Sequence, residues 1–258
     1  MRPDARVWAS LAAIPSRAMG LGRVIDSLLP QVNRLHVAFN GDWRSDWLEF
    51  WAERVAHRGE GEGRLCIAVN PDGGLGDAEK FAPLWSADPE ELPDLHLSCD
   101  DDLVYPPRWA EEMAGFVDLF GGRAIISTHG AFMPRSLRPW TSYFGQRRAI
   151  SCLGDWSDFT QVDFPGTGVM AFDPRRCALK IERGMFEAPN MADMWVGLAA
   201  AQAGTPVIVA PHRAGDLGYL EPPIEETIWW EAHRDERLHI GVCNRLPEAL
   251  APVEGVAP

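Results

Sequence analysis

The chain has 258 residues, and its 24 lysines and arginines against 37 aspartates and glutamates leave a formal net charge of −13. A chain this acidic, with no basic tract, is a poor candidate for binding nucleic acid or an anionic membrane surface. Its 46% hydrophobic and 24% charged residues are typical of a water-soluble globular protein, and the length suits one large domain or two small ones.

The apolar runs are interrupted by Gly, Pro or charge well before about 18 residues, so the sequence predicts no transmembrane helix. The first six residues carry positive charge without an apolar stretch behind them, so we expect no secretory signal. None of the cysteines forms a Cys-x-x-Cys pair, which favours neither a zinc site nor a disulfide framework. We expect reduced, mostly buried thiols in a cytoplasmic protein at Cys66, Cys99, Cys152, Cys177 and Cys243.

Short β-rich runs alternate with longer amphipathic stretches along the chain, which predicts βαβ units and a largely parallel sheet. In chain order, the predicted strands cover residues 7–12, 34–39, 65–69, 95–99, 124–128, 168–172 and 206–210. The spacing of apolar residues predicts helices at about 21–29, 46–55, 109–117 and 191–203. Residues 130–160 have no clean period and predict a long irregular segment, and such segments are often functional.

Three adjacent aspartates, Asp100, Asp101 and Asp102, directly follow the predicted strand at 95–99. Adjacent carboxylates repel one another, so placing them at a strand end is unfavourable unless a cation or hydrogen-bond donors compensate. In an extended segment, Asp100 and Asp102 face one side and Asp101 the other. Carboxylates at the carboxyl edge of a parallel sheet lie where open α/β folds bind ligands, and they suit Mg²⁺ or Mn²⁺. The alternative is a solvated acidic turn that caps the next helix.

The segment Cys99–Pro107 resembles the Asp-x-Asp region of GT-A-fold glycosyltransferases, particularly the bacterial family-2-like enzymes. Three further segments resemble that family in the same order along the chain: Ala9–Arg17, Gly76–Phe81 and Ala192–Trp195. The resemblance covers about residues 7–212 and implies a Rossmann-like three-layer α/β/α sandwich with a mixed, mostly parallel sheet. It also implies a single catalytic domain over residues 1–258, in which 213–258 is a C-terminal extension that forms a lid or an interface.

The resemblance further implies roles for individual residues. Asp193 is the implied catalytic base, and Asp102 and His212 are the implied ligands of a divalent cation, Mn²⁺ or Mg²⁺. The implied donor-binding residues are Ala13, Pro15, Arg17, Asp77, Lys80, Asp100 and Asp101. Structural roles are the alternatives at these positions: a solvated lysine, a surface ion pair for the arginine, and helix N-terminal partners for Asp77 and Asp193.

Aromatic and glycine-rich segments predict the acceptor side of the site. Eleven tryptophans are many for this length, and the faces of sugar rings pack well on aromatic rings. We expect the acceptor to contact Trp140, Tyr143 and Trp156 in the irregular segment, together with Gly166, Thr167 and Gly168. For the glycines, the alternative is a tight turn that needs positive φ.

The resemblance implies transfer of a sugar from a nucleotide-diphosphate sugar, preferably a UDP-sugar, to a hydroxyl acceptor such as a glycan in polysaccharide biosynthesis. The expected mechanism is metal-assisted inverting displacement. Two alternatives remain open. One is a sugar-1-phosphate nucleotidyltransferase, although Ala12–Arg17 lacks the glycine-rich phosphate loop that such an enzyme needs after its first strand. The other is a non-catalytic carbohydrate-binding protein on the same fold.

Overall fold

The structure is a computed structural model, and it describes residues 5–43, 49–51, 64–221 and 228–248. The strands are β1 (Val7–Ala13), β2 (Arg34–Asn40), β3 (Leu65–Asn70), β4 (Leu95–Asp100), β5 (Leu103–Val104), β6 (Ile125–Ser127), β7 (Gly130–Phe132), β8 (Arg148–Ile150), β9 (Thr160–Val162), β10 (Phe164–Pro165), β11 (Val169–Phe172), β12 (Val207–Val209) and β13 (Gly218–Tyr219). The α-helices are α1 (Ala18–Leu28), α2 (Ala82–Ser86), α3 (Trp109–Leu119), α4 (Tyr143–Gln146), α5 (Ala192–Gln202), α6 (Ile228–Arg234) and α7 (Arg237–Arg245).

An eight-stranded mixed sheet runs through the molecule in the order β3-β2-β1-β4-β11-β6-β12-β9. The four strands β3, β2, β1 and β4 are mutually parallel, as are β6 and β12. β11 runs antiparallel to both of its neighbours, and β9 is antiparallel to β12. The architecture confirms the predicted α/β fold with a mixed, mostly parallel sheet. All seven predicted strands are present within one or two residues of their predicted bounds.

Helices cover both faces of this sheet, because its central strands bury side chains on both sides. In β11, Val169 and Ala171 belong to one hydrophobic cluster, while Met170 and Phe172 belong to the other. The first cluster includes the apolar stripe of α1 and that of α3. The second includes α5 and part of α7. Burial on both faces explains why the strands are nearly continuous apolar runs in the sequence.

The segment 130–160 is more regular than predicted. It contains β7, β8 and α4, and β7 pairs with both β10 and β8 in a separate three-stranded sheet. The strands are only two or three residues long, which is too short to produce a visible alternation of apolar and polar residues. The prediction of a long irregular segment is therefore wrong in this part of the chain.

In its described residues, the C-terminal extension contributes two helices that the periodicity did not predict. α7 packs in the second cluster through Val242 and Cys243, and Asn244 exchanges hydrogen bonds with the backbone of Trp140, at 3.3 and 3.0 Å. The assignment of 213–258 as a lid or an interface stays a prediction. Of the predicted helix 46–55, residues 49–51 are helical, and the remainder lies outside the described residues.

No helix in the described part of the chain is long and apolar enough to cross a membrane. All five cysteines are free in the structure, and Cys99, Cys177 and Cys243 are buried.

Candidate functional site

The acidic triplet lies at the carboxyl end of β4, in the centre of the sheet. Asp100 is the last residue of β4, and Asp101 and Asp102 form the turn that leads to β5. β1 runs parallel to β4 with Ala12 opposite Asp100, so both strands end at the same edge of the sheet. β1 ends at the buried Ala13, and the chain continues into a 3-10 turn over Pro15–Arg17 beside the triplet.

Arg17 is the cation that meets two of the three aspartates. Its guanidinium forms an ion pair with Asp101 and a second one with Asp102, whose Oδ2 lies 3.1 Å from Nη1. The backbone N–H of Ile14 also donates to Asp101, at 3.1 Å. The predicted alternation, with Asp101 facing away from Asp102, is wrong because β4 ends at Asp100 and the next two residues turn.

Lys80 neutralises the third aspartate. Its Nζ lies 2.8 Å from Oδ1 of Asp100, and only 2% of the Lys80 side chain is exposed. Burial alone would lower the pKa of Lys80, but the carboxylates of Asp100, Asp77 and Asp193 together hold it above its ordinary value. Burial would likewise raise the pKa of Asp100, but Lys80 above all holds it below its usual range. Lys80 is therefore neither a solvated lysine nor a free phosphate ligand, because it holds Asp100 in place.

Asp77 connects the segment before α2 to the start of α5. Its carboxylate oxygens accept from the backbone N–H of Ala192, at 3.3 and 3.2 Å, where the free N–H groups of α5 begin. The two segments meet closely because Gly76 has φ +64° and a Cβ there would lie 1.9 Å from Oδ1 of Asn190. Burial, which outweighs the opposing charge of Lys80, raises the pKa of Asp77 to about 7. Asp77 is thus a helix N-terminal partner, but for α5 and not for its own segment.

Asp193 stands in the first turn of α5 and faces the segment between β10 and β11. Its Oδ1 accepts from the backbone N–H of Thr167 at 2.7 Å and from the Thr167 hydroxyl at 2.6 Å. The carbonyl of Thr167 in turn accepts from the Ser98 hydroxyl of β4, at 2.6 Å. Thr167 is 1% exposed, so its predicted role as an acceptor ligand is replaced by one as a support for Asp193.

The predicted acceptor segment, residues 166–168, brings three ionisable side chains together. Thr167 holds Asp193, as described above. A Cβ at Gly168 would lie 1.9 Å from Oδ2 of Asp100, and a Cβ at Gly166 would lie 2.5 Å from Cβ of His129. Residues 166–169 do form a tight turn, in which the N–H of Val169 donates to the carbonyl of Gly166 at 3.1 Å. Neither glycine has a positive φ, so the predicted reason for glycine is wrong and both are needed for space.

Two residues of this site, His129 and Tyr105, are not among those predicted from the sequence. Tyr105 accepts from the backbone N–H of Asp100 at 2.8 Å and donates to the carbonyl of Gly168 at 2.6 Å, so it bridges β4 and β11. His129 lies just after β6, at the strand end, as Asp100 does at the end of β4. Burial is the main cause of the lowered pKa of His129. The available signal was a polar residue directly after a buried strand, the same signal that identified the triplet.

The residues fit a divalent cation held by one carboxylate and completed by substrate oxygens. Asp102 shares Arg17 with Asp101, and burial, with the charge of Asp100, raises the pKa of Asp102 to about 7, so a cation would relieve excess negative charge there. The ring nitrogens of His212 lie 2.8 Å from the carbonyl oxygen of Ala210 and 2.9 Å from that of Ser151. His212 as a ligand stays a prediction, and it requires the ring to leave these carbonyls. No group of three or more His, Cys, Asp or Glu side chains suited to a metal occurs among the described residues.

The aromatic residues predicted for the acceptor are largely buried. Trp140 is 1% exposed and lies under the guanidinium groups of Arg135 and Arg138. Tyr143 is 5% exposed and stacks on His239. Both pack in the second cluster, so neither presents a face to a sugar. They are buried because the small sheet that 130–160 forms packs them into this cluster, against the central sheet and its helices. Trp156 is half-buried, and its indole N–H donates to Thr160 at 3.1 Å.

Comparisons with known proteins show the fold alone. No family model matches the chain, and no curated protein matches it in sequence. A solved structure titled only as a mycobacterial protein has a TM-score of 0.52 at 15% identity, over 95% of this chain and 76% of that one. Glucosyl-3-phosphoglycerate synthase from Mycobacterium tuberculosis, in complex with phosphoglyceric acid, has a TM-score of 0.47 at 16% identity, over 95% and 81% of the two chains. The same enzyme with Mn²⁺ and UDP-glucose has a TM-score of 0.45 at 17% identity, over 95% and 80%.

Proposed function

We propose that this protein is a glycosyltransferase that uses a nucleotide-diphosphate sugar as its donor. One observation carries the proposal: the acidic triplet, residues 166–168 and Asp193 meet at the carboxyl edge of the sheet, with Arg17 and Lys80 as cations among them. That edge is where open α/β sheets bind nucleotides. The same segments carry the resemblance to GT-A glycosyltransferases, so the sequence and the geometry support one site.

The donor is a nucleotide-diphosphate sugar, with UDP favoured. Ala13, Pro15 and Arg17 border the triplet where the nucleotide would bind. Asp102 would hold the divalent cation together with diphosphate oxygens, because its charge is the least compensated in the triplet. When bound, such a cation neutralises the negative charge that develops on the departing nucleotide. Lys80 and Asp77 act as positioning residues in this proposal, since they hold Asp100 and the start of α5.

Asp193 takes the proton of the acceptor hydroxyl in an inverting displacement. Both hydrogen bonds from Thr167 end on Oδ1, which leaves Oδ2 to accept from an incoming hydroxyl. The backbone and the hydroxyl of Thr167 fix the direction of the carboxylate, so little reorientation is needed when the acceptor binds. The acceptor is a hydroxyl compound such as a glycan, and Trp156 is the one aromatic predicted for it that is not fully buried.

A thermal-shift panel tests the proposal, because a ligand that binds only the folded state raises its melting temperature. UDP-, GDP-, dTDP- and CMP-sugars are each added with and without Mn²⁺. We expect a UDP-sugar to raise the melting temperature only when Mn²⁺ is present, and we expect Asp102→Asn to abolish this rise. Asp118→Asn is the matched control, since Asp118 is exposed on α3. Absence of a rise with every nucleotide sugar would remove the proposal.

The proton transfer is tested separately. Asp193→Asn keeps an oxygen that accepts from Thr167 and removes the base. We therefore expect it to retain the donor-induced rise in melting temperature and to lose turnover by at least about a hundredfold. Retained turnover would exclude Asp193 as the base without affecting the assignment of the donor site.

A further inference from the structure

His129 is held at the centre of the site by its backbone. Its N–H donates to the Ser127 hydroxyl at 3.1 Å, and its carbonyl accepts from the N–H of Gly166 at 2.8 Å. Because a Cβ at Gly166 would lie 2.5 Å from that of His129, the two backbones are as close as a glycine allows. The Cα and Cβ of His129 are thus held by backbone contacts between the end of β6 and the segment before β11.

Three consecutive residues, 166–168, each contact one of the side chains His129, Asp193 and Asp100. Gly166 packs on His129, Thr167 binds Asp193, and Gly168 packs on Asp100. Three consecutive residues extend over about 7 Å between their outer Cα atoms, which is comparable to the size of one sugar ring. In the proposed function, Asp193 activates the acceptor and Asp100 belongs to the donor side. The order along this segment is His129, Asp193, Asp100, so His129 lies at one end of the row, next to Asp193. A sugar ring that spans the row would meet all three side chains.

The hydrogen bonding of the ring determines which nitrogen is available. Nδ1 accepts from the backbone N–H of Cys152, at 3.4 Å. Burial lowers the pKa of His129, which keeps the ring neutral near pH 7. A neutral ring with an accepting Nδ1 carries its proton on Nε2. No described residue accepts a hydrogen bond from this Nε2–H.

We propose that Nε2–H of His129 donates a hydrogen bond to a hydroxyl of the sugar that is transferred. The inference rests on the proposed function, since it assumes that a nucleotide sugar occupies the site. It makes His129 a substrate-contacting residue that distinguishes the intact nucleotide sugar from the nucleotide alone.

Two substitutions separate this role from a structural one. Glutamine places its amide N–H near the position of Nε2, whereas asparagine places its amide near that of Nδ1. If the sugar accepts from Nε2–H, His129→Gln binds the UDP-sugar within a few-fold of the wild type, and His129→Asn binds it roughly tenfold more weakly, the effect of one hydrogen bond. Both variants bind UDP alone as the wild type does. His36→Gln, on β2, is the control and is expected to change neither affinity.

The affinities are measured by calorimetry with the full chain, Mn²⁺, UDP and the UDP-sugar. Equal affinity of both variants for the UDP-sugar would overturn the inference. Weaker binding by His129→Gln with unchanged binding by His129→Asn would overturn it too, because it would show that the Nδ1 contact with Cys152 is what matters. Gly166→Ala, which displaces His129, gives a second test and should also weaken only UDP-sugar binding. A wild-type chain that binds no nucleotide sugar would overturn the proposed function itself, and the inference with it.

Discussion

Gly168 lies directly against Asp100, and a Cβ at position 168 would be 1.9 Å from Oδ2 of that aspartate. The contact joins β4 to the start of β11, and Tyr105 reinforces it by bonding to the backbone of both residues. The acidic triplet thus depends on a neighbouring strand that has no side chain at this point. A larger side chain at position 168 should therefore displace the Asp100 carboxylate more than it lowers the stability of the fold.

Gly168→Ala should impair the site more than the stability of the protein. The added methyl group forces the Asp100 carboxylate away from Lys80, so we expect a loss of donor binding of at least about tenfold. The free energy of unfolding should fall by about 1–3 kcal/mol, the usual cost of overpacking. Calorimetry and urea unfolding measure the two effects. Gly184→Ala is the control, because nothing lies within 4 Å of a Cβ there, and unchanged donor binding in Gly168→Ala would contradict the expected displacement.

Lys80→Met should destabilise the fold, because it removes the cation from a buried group of carboxylates. Methionine keeps much of the length of the side chain, so the effect is mainly that of the charge. Removing one partner of a buried ion pair costs about 3–5 kcal/mol, and the partial exposure of Asp100 reduces this to about 2–3 kcal/mol. Urea unfolding at pH 7 measures the change. Lys180→Met, at an exposed lysine that bonds only to backbone carbonyls, should change little, and an equal effect in both variants would exclude the charge as the cause.

Asp77→Asn should change how stability depends on pH. The pKa of Asp77 rises from 3.8 to about 7 on folding, so between these values the folded protein binds more protons than the unfolded one. The contribution of Asp77 to the free energy of unfolding is therefore full below about pH 4 and is lost as the pH rises through 7. Asparagine still accepts from Ala192 and does not ionise. We expect Asp77→Asn to gain stability relative to the wild type as the pH is raised from 5 to 8.

Urea unfolding tests this through the difference in free energy of unfolding between Asp77→Asn and the wild type, measured at each pH. Burial lowers the pKa of His96 to about 3, so the contribution of His96 to the free energy of unfolding is lost as the pH falls from 6.5 toward 3. This pH dependence is opposite to that of Asp77. Because both proteins share His96, its contribution cancels. For the control Asp118→Asn, the difference in free energy of unfolding from the wild type should not change with pH. If the difference for Asp77→Asn were also constant with pH, the pKa of the Asp77 carboxyl group would not be raised by folding.

Chelation should abolish donor binding reversibly. After treatment with EDTA, the rise in melting temperature with a UDP-sugar should disappear, and added Mn²⁺ should restore it, because Asp102 and the diphosphate are both anionic and need a cation between them. Asp102→Asn should not respond to Mn²⁺ at all. A full rise in the presence of EDTA would show that Arg17 alone supplies the positive charge, since it already contacts Asp102.

The local pattern of the sequence was sufficient for the strands and long helices that form the central sheet. The run Val7–Ala13 and the strand before Asp100 are mostly apolar and buried, and burial on both faces leaves this trace in the sequence. The short strands β7 and β8 leave no such trace. The sequence therefore predicts Trp140 and Tyr143 as ligand contacts, whereas they belong to the second hydrophobic cluster.

The sequence by itself determined the class of fold, the acidic triplet and the edge of the sheet where it lies, because these depend on residues that are neighbours in the chain. Only the tertiary structure decided which cation meets each aspartate: Lys80 for Asp100, and Arg17 for Asp101 and Asp102. It also placed Thr167 on Asp193 and brought His129 to the site. The physical reason is that these contacts join residues far apart in sequence, and their geometry follows from the packing of β1, β4, β11 and α5 rather than from any local preference.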